Sequence, residues 1–235
     1  MLNVVGLSGG KDSTALALRL REVEPEVDWC YICTPTGDEL PPMIVHWQNL
    51  ETLLGKPLVR VTNHDRNLDD LIQLHGALPN FRMRWCTRQL KIEPTIAWCI
   101  RHAPVLMHVG LRADENEREG IYGEHVKSRF PFREWGWGLR EVREYLGLKG
   151  IEIPERTDCA KCYHQRIGEW HAFWLNYPER FHQAADQEQR LGHTFRSPGR
   201  DTWPVALADL AKEFERGRPI RENRKNGDLC RVCSL

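Results

Sequence analysis

Leu2-Asn3-Val4-Val5-Gly6-Leu7, followed directly by Ser8-Gly9-Gly10-Lys11-Asp12-Ser13, is the stretch that decides the fold. The first six residues are an apolar run of strand length, and Thr14 to Leu20 continue with helix-forming residues. Together they predict a strand, a phosphate loop and a helix. Gly9 and Gly10 let the backbone approach an anion closely, while the amides of the helix start, the helix dipole and Lys11 favour its negative charge. A nucleotide phosphate is the expected guest. The glycine spacing is tighter than in the common nucleoside-triphosphate loop. A plain Gly-Gly turn with a solvated lysine would show the same residues, but the carboxyl end of a first strand is where open α/β sheets bind ligands.

Working outward, Val27 to Cys33 is a second β-rich run, ended by the polar turn Thr34 to Glu39. Pro41-Pro42 opens a helix in which Ile44, Trp47, Leu50, Leu53 and Leu54 recur at helical spacing until Gly55. Leu58 to Val61 reads as the third strand and Leu68 to Leu74 as a helix, whereas Gly76 to Cys86 lacks apolar period and reads as a loop. Gln89 to Ile100 reads as a helix despite Pro94, and Pro104 to Gly110 as the fourth strand. This alternation predicts an α/β fold with a doubly wound parallel sheet. Beyond Gly110 the sequence to His125 is dominated by charge, and later helices are expected over Gly138 to Leu146, Ile167 to Leu175, Pro178 to Leu191 and Trp203 to Glu215. A soft boundary near Pro154 separates a nucleotide-binding domain, residues 1–153, from a helical, cysteine-bearing region, residues 154–235.

A chain of 235 residues holds one α/β domain and a smaller appendage. No apolar stretch approaches bilayer length and a strand begins at once, so the expectation is a soluble cytoplasmic protein with no membrane partner. The formal net charge is zero, which gives the whole chain no electrostatic case for nucleic acid. Eight cysteines without an export signal point to metal or redox chemistry rather than a disulfide framework. Cys30, Cys33 and Cys99 sit in apolar runs and read as core. Cys159, Cys162, Cys230 and Cys233 form two Cys-x-x-Cys pairs, whose four thiolates suit Zn²⁺ or a four-iron four-sulfur cluster alike. His164 and His171 lie near the first pair and read as surface residues.

Further segments carry a resemblance. Thr36-Gly37-Asp38-Glu39-Leu40-Pro41 follows the second strand, and Arg84-Trp85-Cys86-Thr87-Arg88 with Lys91 precedes a helix. Gly110-Leu111-Arg112 with Arg118 follows the fourth strand, and Phe130-Pro131-Phe132-Arg133-Glu134-Trp135 precedes another helix. In this order, with the Ser8 to Ser13 loop, they resemble the ATP pyrophosphatase and phosphoadenosine phosphosulfate (PAPS) reductase superfamily over roughly residues 1 to 175. The resemblance implies an adenine nucleotide alpha hydrolase-like sheet. It also implies an adenine nucleotide held by Ser8, Gly9, Gly10, Lys11, Asp12, Ser13, Thr36, Gly37, Asp38 and Arg112. Arg84, Arg88, Lys91 and Arg118 are the expected anion-binding residues, since arginine forks suit phosphate and sulfate oxygens.

The Lys11-Asp12 pair is kept by family members that split ATP, whereas PAPS reductases lack it and end in a Glu-Cys-Gly-Leu-His tail absent here. The resemblance therefore implies ATP with Mg²⁺, the latter taking oxygen from Asp12 or Asp38, and Lys11 facing the departing pyrophosphate. Adenylation of an acceptor for sulfur transfer is the leading expectation. Cys86 is the candidate nucleophile, because Arg84 and Arg88 would lower a thiol pKa. Nucleic acid is the candidate acceptor and a protein the candidate sulfur donor. A PAPS or adenosine phosphosulfate reductase, and a non-catalytic nucleotide-binding scaffold with a structural metal, stand as alternatives. A cluster using Cys86 with Cys159 and Cys162 stands beside the four-cysteine site.

Overall fold

A computed structural model describes residues 1–64, 66–115, 117, 122 and 126–220. Four expected strands are present: β1 (Leu2–Gly6), β2 (Trp29–Cys33), β3 (Leu58–Arg60) and β4 (Val105–His108). A fifth, β5 (Lys127–Arg129), was not expected, because a three-residue strand of charged and polar side chains has no apolar signature. All pair in parallel in the order β3-β2-β1-β4-β5. β5 is fastened by Arg129, whose Nη1 donates to Glu24 at 2.8 Å and Nη2 to Glu134 at 2.9 Å. The chain builds outward from β1 to β3 and returns to the other side of β1 for β4. The direction of winding therefore reverses between β1 and β4, and ligands of open α/β sheets bind outside the strand ends at such a reversal.

Alternation along the strands feeds two cores, one on each face of the sheet. Val5, Tyr31 and Cys33 pack with Ala15, Leu16 and Leu20 of α1 (Lys11–Val23) and Met43, Trp47, Leu50 and Leu54 of α2 (Pro41–Leu54). Val4, Ile32 and Met107 face Trp98 and Cys99 on the opposite side. Each fully buried leucine here contributes about 1.5–3 kcal/mol relative to exposure. α2 begins on its prolines and stops at Gly55, which takes the left-handed φ of 67°.

The helix expected over Gln89 to Ile100 is divided. A short α4 (Trp85–Thr87) leads into a π-helical turn, Arg88–Ile92, and then α5 (Glu93–Arg101). Pro94 has no N–H to continue an α ladder, so the preceding turn widens around it. Two short helices follow β5, α6 (Pro131–Glu134) and α7 (Leu139–Leu148).

The described residues form two compact units. The first comprises Met1–Asn67 and Thr87–Asp158 and contains the whole sheet; the second comprises Leu68–Cys86 and the described residues from Cys159 onward. Sequence alone placed Leu68 to Cys86 with the sheet. In the structure α3 (Leu68–His75) belongs to the second unit, where Asp69 accepts hydrogen bonds from Lys161 and Gln187. Burial works to raise the Asp69 pKa, but those two partners outweigh it and the carboxyl is held below its usual range.

The rest of the second unit is α8 (Ile167–Asn176), α9 (Pro178–Leu191) and α10 (Leu207–Glu215). Trp170 meets the rings of Phe173, Phe181 and Phe195 at 6.1, 6.3 and 6.4 Å. α10 starts later than Trp203, because Asp201 holds the Trp203 amide in a turn at 2.9 Å and Pro204 follows. Among the described residues no helix is long and apolar enough to cross a membrane.

Candidate nucleotide-binding site

The loop after β1 is stitched from within. Ser13 Oγ lies 3.0 Å from Ser8 Oγ, accepts from the Gly9 amide at 3.2 Å and donates to the Gly10 carbonyl at 3.1 Å. Ser8 Oγ also accepts from the Gly10 amide at 3.3 Å. Both serines, expected to face nucleotide, thus also hold the loop's shape. α1 starts immediately at Lys11 with Gly10 as its N-cap and no side chain capping it. The first-turn amides and the positive end of the dipole are presented to whatever occupies the loop.

The two glycines play different parts. Gly9 has φ +85°, and a Cβ there would stand 2.2 Å from Met43 Cε and 2.8 Å from Trp47 Nε1. The fold itself requires this glycine. Gly10 has φ −71°, and a Cβ would meet only Ser8 Oγ and Thr157 Oγ1 at ordinary distances of 3.5 and 3.6 Å. Neither backbone strain nor crowding asks for glycine at position 10. His46, buried one turn along α2, stands against the Gly9 backbone. Burial lowers its pKa despite that contact, so the ring is neutral near pH 7.

Asp12 and Lys11 open α1. Lys11 Nζ is 3.4 Å from Asp12 Oδ2, and Arg112 Nη1 donates to the same oxygen at 3.0 Å. Asp12 Oδ1 is buried and makes no hydrogen bond among the described residues. Arg112 comes from the segment after β4. It is only 2% exposed, with Nε on Asp114 at 2.9 Å and Nη2 3.6 Å from Glu115. Burial works to lower its pKa, but Asp12 and Glu115 outweigh it and the guanidinium is held firmly charged.

At the end of β2 the turn Thr36 to Glu39 closes on itself. The Glu39 carboxylate accepts from the Thr36 amide and hydroxyl, both at 2.7 Å, and from the Gly37 amide at 3.0 Å. Gly37 has φ +75° and no room for a Cβ, which would lie 2.5 Å from Asn67 Cβ. Thr36 and Asp38 are buried. Glu39 organises this turn, and sequence reasoning passed over it; the Thr36-x-x-Glu39 spacing, that of a capping box, was the available signal.

The other expected residues divide between the units. Arg88 and Lys91 belong to the unit of the loop, where Arg88 is exposed and pairs with Glu93 at 3.3 Å. Arg84, Cys86, Cys159 and Cys162 belong to the other unit. There Arg84, Cys86 and Cys162 surround the Tyr163 phenol, which burial pushes up to about 12; the two thiols add to the shift and Arg84 opposes it. None of the six described cysteines is disulfide-bonded. Burial drives Cys33 to about 12 and Cys99 to about 11, so both are inert core thiols.

Arg118, Cys230 and Cys233 lie outside the described residues. Among the described residues no group of three His, Cys, Asp or Glu side chains is gathered to hold a metal ion. Cys159 and Cys162 supply two thiols, linked by a turn in which the Cys162 amide donates to the Cys159 carbonyl at 3.2 Å. His171 is occupied by packing, its ring 4.9 Å from that of Phe214.

A five-stranded parallel sheet with a Ser-Gly-Gly-Lys-Asp-Ser loop at its winding reversal defines an open α/β protein. No family model matches the chain, and no protein of curated function matches it in sequence. Its fold is shared by a PAPS reductase from Candida auris in its phosphate complex, at TM-score 0.54 and 12% identity, over 66% of this chain and 76% of that one. It is shared too by the U34-tRNA thiolase NcsA from Methanococcus maripaludis with its 4Fe-4S cluster, at TM-score 0.53 and 17% identity, over 100% of this chain and 80% of that one. The expected doubly wound parallel α/β fold is therefore present and is shared with these two structures.

Proposed function

We propose that this protein cleaves ATP to AMP and pyrophosphate, adenylating an acceptor oxygen for sulfur transfer. The observation that carries the reading is the Ser8 to Ser13 loop. It retains Lys11 and Asp12, leaves the start of α1 without a side-chain cap, and keeps a glycine at position 10 that the fold does not require. Such a loop suits the β and γ phosphates, with Lys11 offsetting the charge that builds on pyrophosphate as the bond to the α phosphorus breaks. Asp12 Oδ1 fits a Mg²⁺ ligand, being a buried carboxylate oxygen with no hydrogen bond among the described residues. Mg²⁺, when bound, neutralises the triphosphate.

Attack of the acceptor oxygen on the α phosphorus expels pyrophosphate, and a sulfur nucleophile then displaces AMP at the activated atom. Cys86 is our candidate to carry that sulfur, and a nucleic acid our candidate acceptor; the fold shared with a tRNA thiolase supports both. Cys159 and Cys162 are proposed as half of a metal site completed by Cys230 and Cys233, and no catalytic step is routed through it. The fold shared with a PAPS reductase favours one second reading, in which the same loop holds a sulfonucleotide.

Pyrophosphate release from ATP by the wild-type chain, abolished in Lys11→Ala and Asp12→Ala with thermal unfolding preserved, is the expected result. Release at wild-type rate in either variant removes the mechanism. Sulfite release from a sulfonucleotide selects the second reading, and neither product leaves a nucleotide-binding scaffold.

A further inference from the structure

The segment that follows β4 meets the phosphate loop in two places. Gly110 lies so close to the start of α1 that a Cβ on it would stand 3.3 Å from both Asp12 C and Asp12 O and 3.4 Å from the Ser13 amide nitrogen. Two residues on, the Arg112 guanidinium reaches Asp12 Oδ2 at 3.0 Å, across a separation of 100 residues. The same guanidinium is anchored on its far side by Asp114, which also accepts from the Leu139 amide at 3.3 Å. Glu115 adds a second brace, accepting from the Arg112 amide at 3.3 Å.

An arginine that binds an anionic ligand directly must present part of its fork to solvent in the unliganded protein. Arg112 is 2% exposed and faces three carboxylates of its own unit. Those carboxylates would compete with any phosphate for the same donors. What its placement does achieve is asymmetry at Asp12: one oxygen is held by Arg112 and Lys11, and the other has no hydrogen-bond partner among the described residues. A carboxylate fixed by one oxygen has its remaining oxygen aimed by the protein, at no further loss of rotamer freedom when a ligand arrives.

We propose that Arg112 is a positioning residue: it acts through Asp12, fixing the start of α1 and the phosphate loop, and does not itself contact the nucleotide. Gly110 permits the approach that makes this possible. The inference rests on the reading of residues 8–13 as a phosphate-binding loop.

The test is a double-mutant cycle on the full chain with Arg112→Ala, Asp12→Ala and the double variant, with Arg112→Lys as the milder substitution. Two quantities are read: amide hydrogen exchange of the segment 8–14, and ATP affinity by calorimetry in the presence of Mg²⁺. Exchange of the loop should rise about tenfold in Arg112→Ala and by a smaller factor in Arg112→Lys, while β2 is unchanged. ATP should bind roughly tenfold more weakly in Arg112→Ala than in wild type, with no further weakening when the change is made on the Asp12→Ala background.

The proposal is overturned if loop exchange stays at the wild-type rate, or if Arg112→Ala weakens ATP by the same factor with and without Asp12, which is the behaviour of a direct anion ligand. Should Arg112→Ala fail to fold, Arg112→Lys decides by the same criteria. A wild-type protein that binds no ATP defeats the proposed function, while the exchange cycle still reports whether Arg112 acts through Asp12.

Discussion

The indole Nε1 of Trp47 donates to the carbonyl oxygen of Ser8 at 3.0 Å, so that α2 holds the first residue of the Ser8–Ser13 loop. Trp47 is itself packed in the core on that face of the sheet. The loop's backbone is thereby tied to a packed helix.

Gly9→Ala should disrupt this arrangement. Alanine must adopt φ +85° and place its Cβ against Met43 and Trp47. The methionine can turn aside, but the indole is fixed by its hydrogen bond. Destabilisation of about 1–3 kcal/mol is expected, together with loss of nucleotide binding. Trp47→Phe, which keeps most of the packing, should cost about 1 kcal/mol for the hydrogen bond. Denaturant unfolding and ATP titration check both, and a Gly9→Ala protein with wild-type stability would show that the loop relaxes freely.

Glu39→Ala removes an acceptor serving three donors of the Thr36-Gly37 turn. Hydrogen bonds to a charged acceptor make this a loss of about 2–3 kcal/mol. Glu39→Gln keeps one carbonyl oxygen and should lose less. Urea denaturation measures the ordering of the three proteins; equal midpoints for wild type and Glu39→Ala would mean that water replaces the carboxylate without cost.

In the second unit Glu188 accepts from the Phe195 amide at 2.8 Å and the Leu207 amide at 2.6 Å while 5% exposed. Desolvation raises its pKa to about 7 against the two amides and Arg196, which lower it. A carboxyl whose folded pKa lies above its unfolded value holds its proton more tightly when folded. Its contribution to stability is complete below about pH 4.5 and is lost as pH rises towards about 7, on the order of 3 kcal/mol in total. Glu188→Gln should flatten the unfolding free energy over that interval. A slope identical to wild type would place the titration elsewhere.

Anaerobically purified protein should carry iron or zinc, and Cys159→Ser or Cys162→Ser should release it. Metal analysis with a visible spectrum distinguishes a cluster from zinc. Loss of metal in Cys230→Ser as well supports the four-thiolate site. Full retention there, with loss in Cys86→Ser, moves the ligand set to Cys86, Cys159 and Cys162.

Much of the first unit was legible because local signals agreed. The apolar run before Ser8, the prolines that open α2 and the Gly55 that ends it each mark a boundary by backbone chemistry alone. The alternation of strands and helices indicated a doubly wound parallel sheet, while the pairing of β4 beside β1 is known only from the structure. The burial of Arg112 was not legible, because it depends on Asp12, a hundred positions away. The nearer signs were Asp114 and Glu115 beside it. That residues 68–86 cluster with the second unit was not legible, since contacts such as Asp69 with Lys161 span 92 positions. β5 was invisible, since Lys127-Ser128-Arg129 is defined by pairing with β4 and not by its side chains.

The strand order also sets a timetable for synthesis. β1 can pair with β2 as soon as about thirty residues have left the ribosome, but its other partner begins at Val105. Closing that long loop is entropically slow, and only afterwards do Gly110 and Arg112 reach the start of α1. A nascent chain carrying the entire Ser8 to Ser13 motif therefore lacks the Arg112 contact to Asp12 until nearly half of the protein has been made.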